Sequence, residues 1–354
     1  MRLSTPRWWY VRRGAPAPLT RALLRPVSWI WAWATAWRIA GQRALDPGVP
    51  VICVGNLTLG GSGKTPVVRA LTRRLTANGI AAHVLTRGYG GRLQGPVRVD
   101  PARHDAGDVG DEALMLAADA PVWVAKDRAA GALAAAADGA EAIVMDDGHQ
   151  NGQVRKRLSL AVVDGETRGG EWPFGDGAVF PAGPMREPLA AGLARADAVV
   201  VLLPADLGAP EPALMALFSG KPALIARLVA PPPPPGPQVG FAGIGKPWKM
   251  ERALIAAGCD LADFAPLPDH ARYDARLLRF LAQRADALGA GLVTSEKDWV
   301  KLPAEWRTRV TAWPVEAVFD DDAALAALLD AALSRSTAPH PPDAAGEVAG
   351  RAAD

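Results

Sequence analysis

The run Val51-Ile52-Cys53-Val54 leads straight into Gly55-Asn56-Leu57-Thr58-Leu59-Gly60-Gly61-Ser62-Gly63-Lys64-Thr65-Pro66. A short apolar strand, a glycine-rich loop closing on Gly-Lys-Thr and a helix behind it make a phosphate cradle. Backbone N–H groups turn inward around phosphate oxygens, the lysine reaches the β- and γ-phosphates, and the threonine hydroxyl binds Mg²⁺. The expected ligands are therefore a nucleoside triphosphate, held over Thr58, Gly60, Gly61, Ser62, Gly63, Lys64 and Thr65, and a Mg²⁺ ion on Thr65. Thr58 stands where the strict pattern Gly-x-x-x-x-Gly-Lys-Ser/Thr has its first glycine, so turn flexibility is assigned to Gly60 and Gly61. Pro66 suits the first turn of the following helix, where its missing N–H costs nothing.

Further acids stand where such a loop needs them. Ala142-Ile143-Val144-Met145-Asp146-Asp147 reads as a Walker B strand, with Asp146 aimed at the metal. Asp147 either orients metal water or caps the next turn. Gly107-Asp108-Val109-Gly110-Asp111-Glu112 opens a helix. Its acids are either caps or include a carboxylate that takes the proton of an attacking hydroxyl. Arg87, after the second strand, is a phosphate-neutralising side chain or part of a surface turn. Pro268-Asp269-His270 gains a role only if a second domain folds over the first. Gly243-Ile244-Gly245 reads as a tight strand-to-helix turn, and Thr294-Ser295-Glu296-Lys297-Asp298 as a capping sequence.

The elements that must position these groups alternate. Strands are expected at 51–54, 82–86, 122–125, 142–145, 158–163, 198–203 and 223–229, with helices between them, notably 67–77, 111–118 and 127–137. This alternation predicts an α/β fold, a parallel sheet of P-loop NTPase type with helices on both faces. The proline run 231–237 marks a linker between a kinase-type domain, 46–230, and a smaller α/β domain, 238–333. There, strands are expected at 239–242, 292–294 and 311–319, and helices from 248, at 275–288, from 297 and at 322–333. Residues 334–354, rich in Pro, Ala and Asp, are expected to be disordered.

The chain has 354 residues, enough for two domains, and 49% of them are hydrophobic. Its two cysteines have no metal spacing and suggest no disulfide framework, which fits a reducing compartment. The net charge is only +2, but residues 1–45 carry eight arginines, six of the twelve tryptophans and no acid. Arginine and tryptophan together suit the headgroup zone of an anionic membrane. The uncharged stretch 27–37 is too short to cross a bilayer alone. On a helix Trp29, Trp33 and Trp37 share a face, while Trp31 points away. Residues 1–45 thus read as a membrane-surface anchor. The alternatives are an amphipathic helix packed on the domain, or a signal peptide, which would strand a triphosphate site outside the cell. No base-reading module accompanies the arginines, so nucleic acid is not an expected partner.

Taken together and in order, these blocks resemble the tetraacyldisaccharide 4′-kinases of lipid A biosynthesis. The resemblance rests on GNLTLGGSGKTP (55–66), TRGYGG (86–91), GDEALMLA (110–117), DDGHQN (146–151), PAGPMREP (181–188), FAGIGKP (241–247), PDH (268–270) and TSEKDWVKL (294–302). It covers most of residues 20–330. It implies transfer of phosphate from ATP, with Mg²⁺, to the 4′-hydroxyl of a tetraacylated glucosamine disaccharide 1-phosphate. Asp111 and His270 would assist the hydroxyl, Lys64 and Asp147 would serve the phosphates, and Thr65 and Asp146 the metal. Arg87, Glu112 and Gln150 would join the loop around the nucleotide. The resemblance also implies a membrane-associated N-terminal helix, peripheral or monotopic at the cytoplasmic face of the inner membrane. His149 departs from the apolar or aromatic residue common before that glutamine. Two rivals are a membrane-targeted switch ATPase and a soluble small-molecule kinase. The switch ATPase has a lysine where this chain has Leu59.

Overall fold

A computed structural model describes residues 6–12 and 18–334. The expected disordered tail lies outside the described residues except for Ser334, which closes the last helix. Two sheets organise the chain. The large one is built from β1 (Val51–Asn56), β2 (Ala82–Thr86), β3 (Val97–Arg98), β4 (Val122–Val124), β5 (Ala142–Asp146), β6 (Leu158–Asp164), β7 (Ala198–Pro204) and β8 (Ala223–Val229). The small one is built from β9 (Gln238–Ala242), β10 (Leu261–Pro266), β11 (Gly291–Ser295) and β12 (Val310–Trp313). A last strand, β13 (Glu316–Phe319), returns to the large sheet.

The large sheet runs β13-β8-β7-β6-β1-β5-β2-β4-β3, and the small one β10-β9-β11-β12. Pairing is parallel throughout except where β3 meets β4 and β13 meets β8 at the two edges. Strands covered on both faces lose the apolar alternation of half-exposed ones, and β1, β2 and β5 are buried along their whole length. β1 sits at the centre between β6 and β5, so the glycine loop leaves the C-terminal end of the most enclosed strand. Ligands bind at such strand ends in open α/β sheets.

Two expectations are corrected. The strand expected at 311–319 is two strands, broken at Pro314, each in a different sheet. A proline cannot donate to a ladder, and here it marks the crossing. The last strand and the helix Asp322–Ser334 therefore pack on the large sheet, not within the small unit. β10 was not expected at all; it is a half-buried edge strand.

Helix α1 (Pro18–Ala40) packs the opposite way from an ordinary amphipathic helix. Arg21, Ser28 and Thr35, two turns apart, are its buried residues. Arg21 pairs with Asp176 at 2.6 Å, and the Ala182 N–H donates to Ser28 Oγ at 3.1 Å. Leu19, Leu23, Trp29, Ile30, Trp33 and Trp37 face outward, from 65% exposed at Ile30 to 80% at Leu19. Trp31 turns to the body and meets Phe180 edge-on, ring centroids 4.8 Å apart. The packed-amphipathic alternative required the apolar stripe inside, and it is outside. No described helix is long and apolar enough to cross a membrane.

Candidate active site

Helix α2 (Lys64–Ala77) follows the loop and buries Val67, Val68, Leu71 and Leu75 on one face against the large sheet. At about 1.5–3 kcal/mol per side chain this seating is strong, so the helix start is a fixed platform. Asn56, buried at the end of β1, donates to the Thr58 carbonyl at 2.8 Å and to Ser62 Oγ at 2.9 Å, closing the loop on itself. The left-handed positions are Gly60 (φ 91°) and Gly63 (φ 76°), so the second flexible glycine is Gly63 and not Gly61 as the pattern suggested. A Cβ on Gly63 would also lie 2.2 Å from Leu202 Cδ2.

The strand-end acids face this loop. Lys64 Nζ lies 3.5 Å from Asp147 Oδ1, and Arg186 donates to the same oxygen at 2.9 Å. Desolvation raises the Asp147 pKa, but the Lys64 and Arg186 charges outweigh it and hold the carboxyl well below the ordinary range. Asp146 is 1% exposed, and its Oδ1 has no hydrogen-bond partner. Burial first, and the Glu112 charge second, push it up to about 7, against the pull of Lys64. Behind it lies Arg128, 3% exposed, which donates to the carbonyls of Ala125 and Asp146 at 3.3 Å each. Burial lowers the Arg128 pKa to about 10.

These residues fit a divalent cation. An orphaned carboxylate oxygen in a dry setting is costly and is relieved by positive charge. Among the described residues no cluster of three His, Cys, Asp or Glu forms a protein-only cage. Mg²⁺ ordinarily takes one or two carboxylates and leaves the rest to water and phosphate.

The other half of the site comes from two units. Asp111 begins α4 (Asp111–Leu116), which follows α3 (Ala106–Val109) through Gly110 at φ 92°. His270, itself at φ 55°, brings Nδ1 to 2.8 Å from Asp111 Oδ2. The Glu112 N–H donates to Asp111 Oδ1 at 2.9 Å. Lys301 stands 3.8 Å from Asp111, and Lys297 pairs with Glu112 at 3.0 Å. Burial works to raise the Asp111 pKa. The His270 hydrogen bond and the charges of Lys297, His270 and Lys301 overcome it and lower the value. The units also meet where Arg69 of α2 bonds Asp119 and Glu296 at 2.6 Å each. At the loop itself, a Cβ on Gly245 would fall 2.6 Å from Gly61 N.

The structure gathers Asp111, Glu112 and His270 into one cluster and Lys64, Asp146 and Asp147 into another. The effect of Glu112 on Asp146 puts both in one electrostatic field. Arg87 is exposed at the end of β2, with no ion pair among the described residues. Thr58 acts through its backbone, accepting from Asn56 and from Arg186 Nε at 3.1 Å. Gln150 differs from expectation. Its amide is spent inside the protein, donating to Asn56 O and Glu187 and accepting from Arg186 at 3.3 Å, so it braces the loop from beneath. His149 is buried, with Nε2 2.8 Å from the Gly192 carbonyl, and burial lowers its pKa to about 4.

Sequence reasoning missed Arg128, Arg186, Lys297 and Lys301. A lone arginine at the start of the alanine-rich helix α5 (Arg128–Ala137) was one available signal. Ser295 does cap the helix Glu296–Trp299 as expected. The same segment also sends Glu296 to Arg69 and Lys297 to Glu112 across the unit boundary.

A sequence model described as tetraacyldisaccharide-1-P 4′-kinase (LpxK) matches residues 20–334. Relatives named tetraacyldisaccharide 4′-kinase include one from Phenylobacterium zucineum, 68% identical over 93% of this chain and 99% of its own length. Another, from Caulobacter vibrioides, is 66% identical over 93% of this chain and 98% of its own. The fold is similar to a crystal structure from Aquifex aeolicus described as the apo form of LpxK in complex with ATP. That match has a TM-score of 0.69 and 23% identity, and covers 89% of this chain and 99% of that one. The switch-ATPase alternative finds no support in these relatives. Matched across its two units and at high identity, the chain belongs to the tetraacyldisaccharide-1-P 4′-kinase family.

Proposed function

We propose that the chain moves the γ-phosphoryl group of ATP to the 4′-hydroxyl of a tetraacylated glucosamine disaccharide 1-phosphate. The observation that carries this reading is the Asp111–His270 pair, assembled between units beside Glu112, whose charge acts on Asp146 next to the phosphate loop. Asp111 aligns the sugar hydroxyl and takes its proton as the phosphoryl group arrives. A carboxylate held below its usual pKa is a weak base, so that transfer comes late, as a loose transition state allows. His270 holds one Asp111 oxygen and the Glu112 N–H the other, which fixes the direction in which the carboxylate faces. Lys64, now paired with Asp147, follows the charge on the transferred phosphoryl. Mg²⁺, held by Thr65 and Asp146, would neutralise charge on the β- and γ-oxygens.

The acyl chains keep the acceptor in a bilayer, since extracting each CH₂ costs about 0.8 kcal/mol. The outward apolar face of α1 suits that surface. On this reading the enzyme works peripherally or monotopically at the cytoplasmic face of the inner membrane, against anionic lipid. The test is incubation of the purified protein with ATP, Mg²⁺ and the disaccharide 1-phosphate lipid in detergent. A product bearing a second phosphate is expected. No product, with ATP hydrolysis stimulated by bare vesicles, would overturn the reading.

A further inference from the structure

We propose that Tyr10 is a positioning residue for the phosphate loop, and that the segment 6–12 exists in part to deliver it. The family match begins at residue 20, so this segment lies ahead of it. Tyr10 ends a short turn of helix, Arg7–Tyr10, and is 2% exposed. Its hydroxyl donates to the Leu59 carbonyl at 2.7 Å, inside the loop. The backbone is pinned as well, since the Trp172 N–H donates to the Tyr10 carbonyl at 2.6 Å and Val11 bridges Glu171. The Lys246 ammonium lies 4.1 Å from the Tyr10 ring centroid and 2.7 Å from Asp164 Oδ2. One side chain thus ties the loop to the small unit.

The consequence follows from peptide geometry. In a trans peptide the C=O and N–H point in opposite directions. Holding the Leu59 carbonyl on Tyr10 therefore aims the Gly60 N–H away from Tyr10. The peptide joins a residue to a glycine at φ 91°, followed by another glycine, so little in the chain itself resists a flip. The preceding peptide is held as well, since its Leu59 N–H donates to the Pro184 carbonyl at 2.7 Å. With the Tyr10 bond on one peptide and the Pro184 bond on the peptide before it, both sides of Leu59 are oriented before any phosphate arrives, and that preorganisation raises affinity.

This inference rests on the loop binding a triphosphate, and its test separates the two claims. Titrate the full chain and its Tyr10→Phe variant with a non-hydrolysable ATP analogue and Mg²⁺. Record the melting temperature and the KM for the lipid acceptor alongside. Phenylalanine keeps the ring and its contact with Lys246 and removes only the hydroxyl. The variant should bind the analogue about threefold to tenfold more weakly, the scale of one net hydrogen bond, with acceptor KM unaltered and the melting temperature lowered by no more than about 4 °C. A wild-type chain that fails to bind the analogue would remove the triphosphate reading itself. Binding by the wild type with equal affinity in the variant would overturn the role of Tyr10. A variant that melts earlier and loses both ligands together would also overturn it, since that is what a merely structural residue does.

Discussion

Asp146 at the end of β5 and Asp111 at the start of α4 are both buried, at 1% and 4% exposure, yet their surroundings treat them oppositely. Burial disfavours the charge on each. Asp111 is rescued by cations from the small unit, and its pKa falls. Asp146 meets Glu112 instead, keeps an unpartnered oxygen, and rises to about 7. On the proposed reading the same chemical group is thereby prepared for two tasks. Groups of the docked small unit favour the charge on Asp111, and a cation bound at Asp146 would favour the charge there.

The largest expected effect separates these tasks at the chemical step. Asp111→Asn keeps the shape but cannot take a proton, so turnover at saturating substrates should fall about 10²–10⁴-fold. A loss confined to KM for ATP would make Asp111 a donor-side residue and end the contrast. A smaller effect should appear in the pH profile. The folded pKa of Asp111 lies below its unfolded value, so its contribution is complete above the ordinary carboxylate range. It is lost as pH falls through the lowered value. Lys301→Met removes one of the charges that lower it, so the acid limb of kcat should move to higher pH while the alkaline plateau holds. An unmoved acid limb would show that Lys301 does not act on Asp111.

How far the sequence revealed this arrangement depended on how local each feature is. The central strands, the place of the loop and the Ser295 cap are written in contiguous residues, and they appear where expected. The set of partners around Asp111 is not contiguous. His270, Lys297 and Lys301 lie more than 150 residues away in sequence, and only the packing of the small unit's helix Glu296–Trp299 and its neighbours on α4 brings them near. Gln150 sat within a recognisable block, but burial turned it inward as a brace. The α1 helix showed its tryptophans plainly. That Arg21, Ser28 and Thr35 would be its buried stripe runs against the usual rule, and depended on partners at Asp176 and Ala182.

The contrast between the two carboxylates is tested most directly by calorimetric titration of Asp111→Asn and Asp146→Asn with Mg²⁺ and a non-hydrolysable ATP analogue. Asp111→Asn should bind as tightly as the wild type. Asp146→Asn should bind at least about tenfold more weakly in the presence of the metal, the scale seen when a metal site loses a supporting group. Weakened binding in Asp111→Asn with full affinity in Asp146→Asn would contradict the division of labour between them.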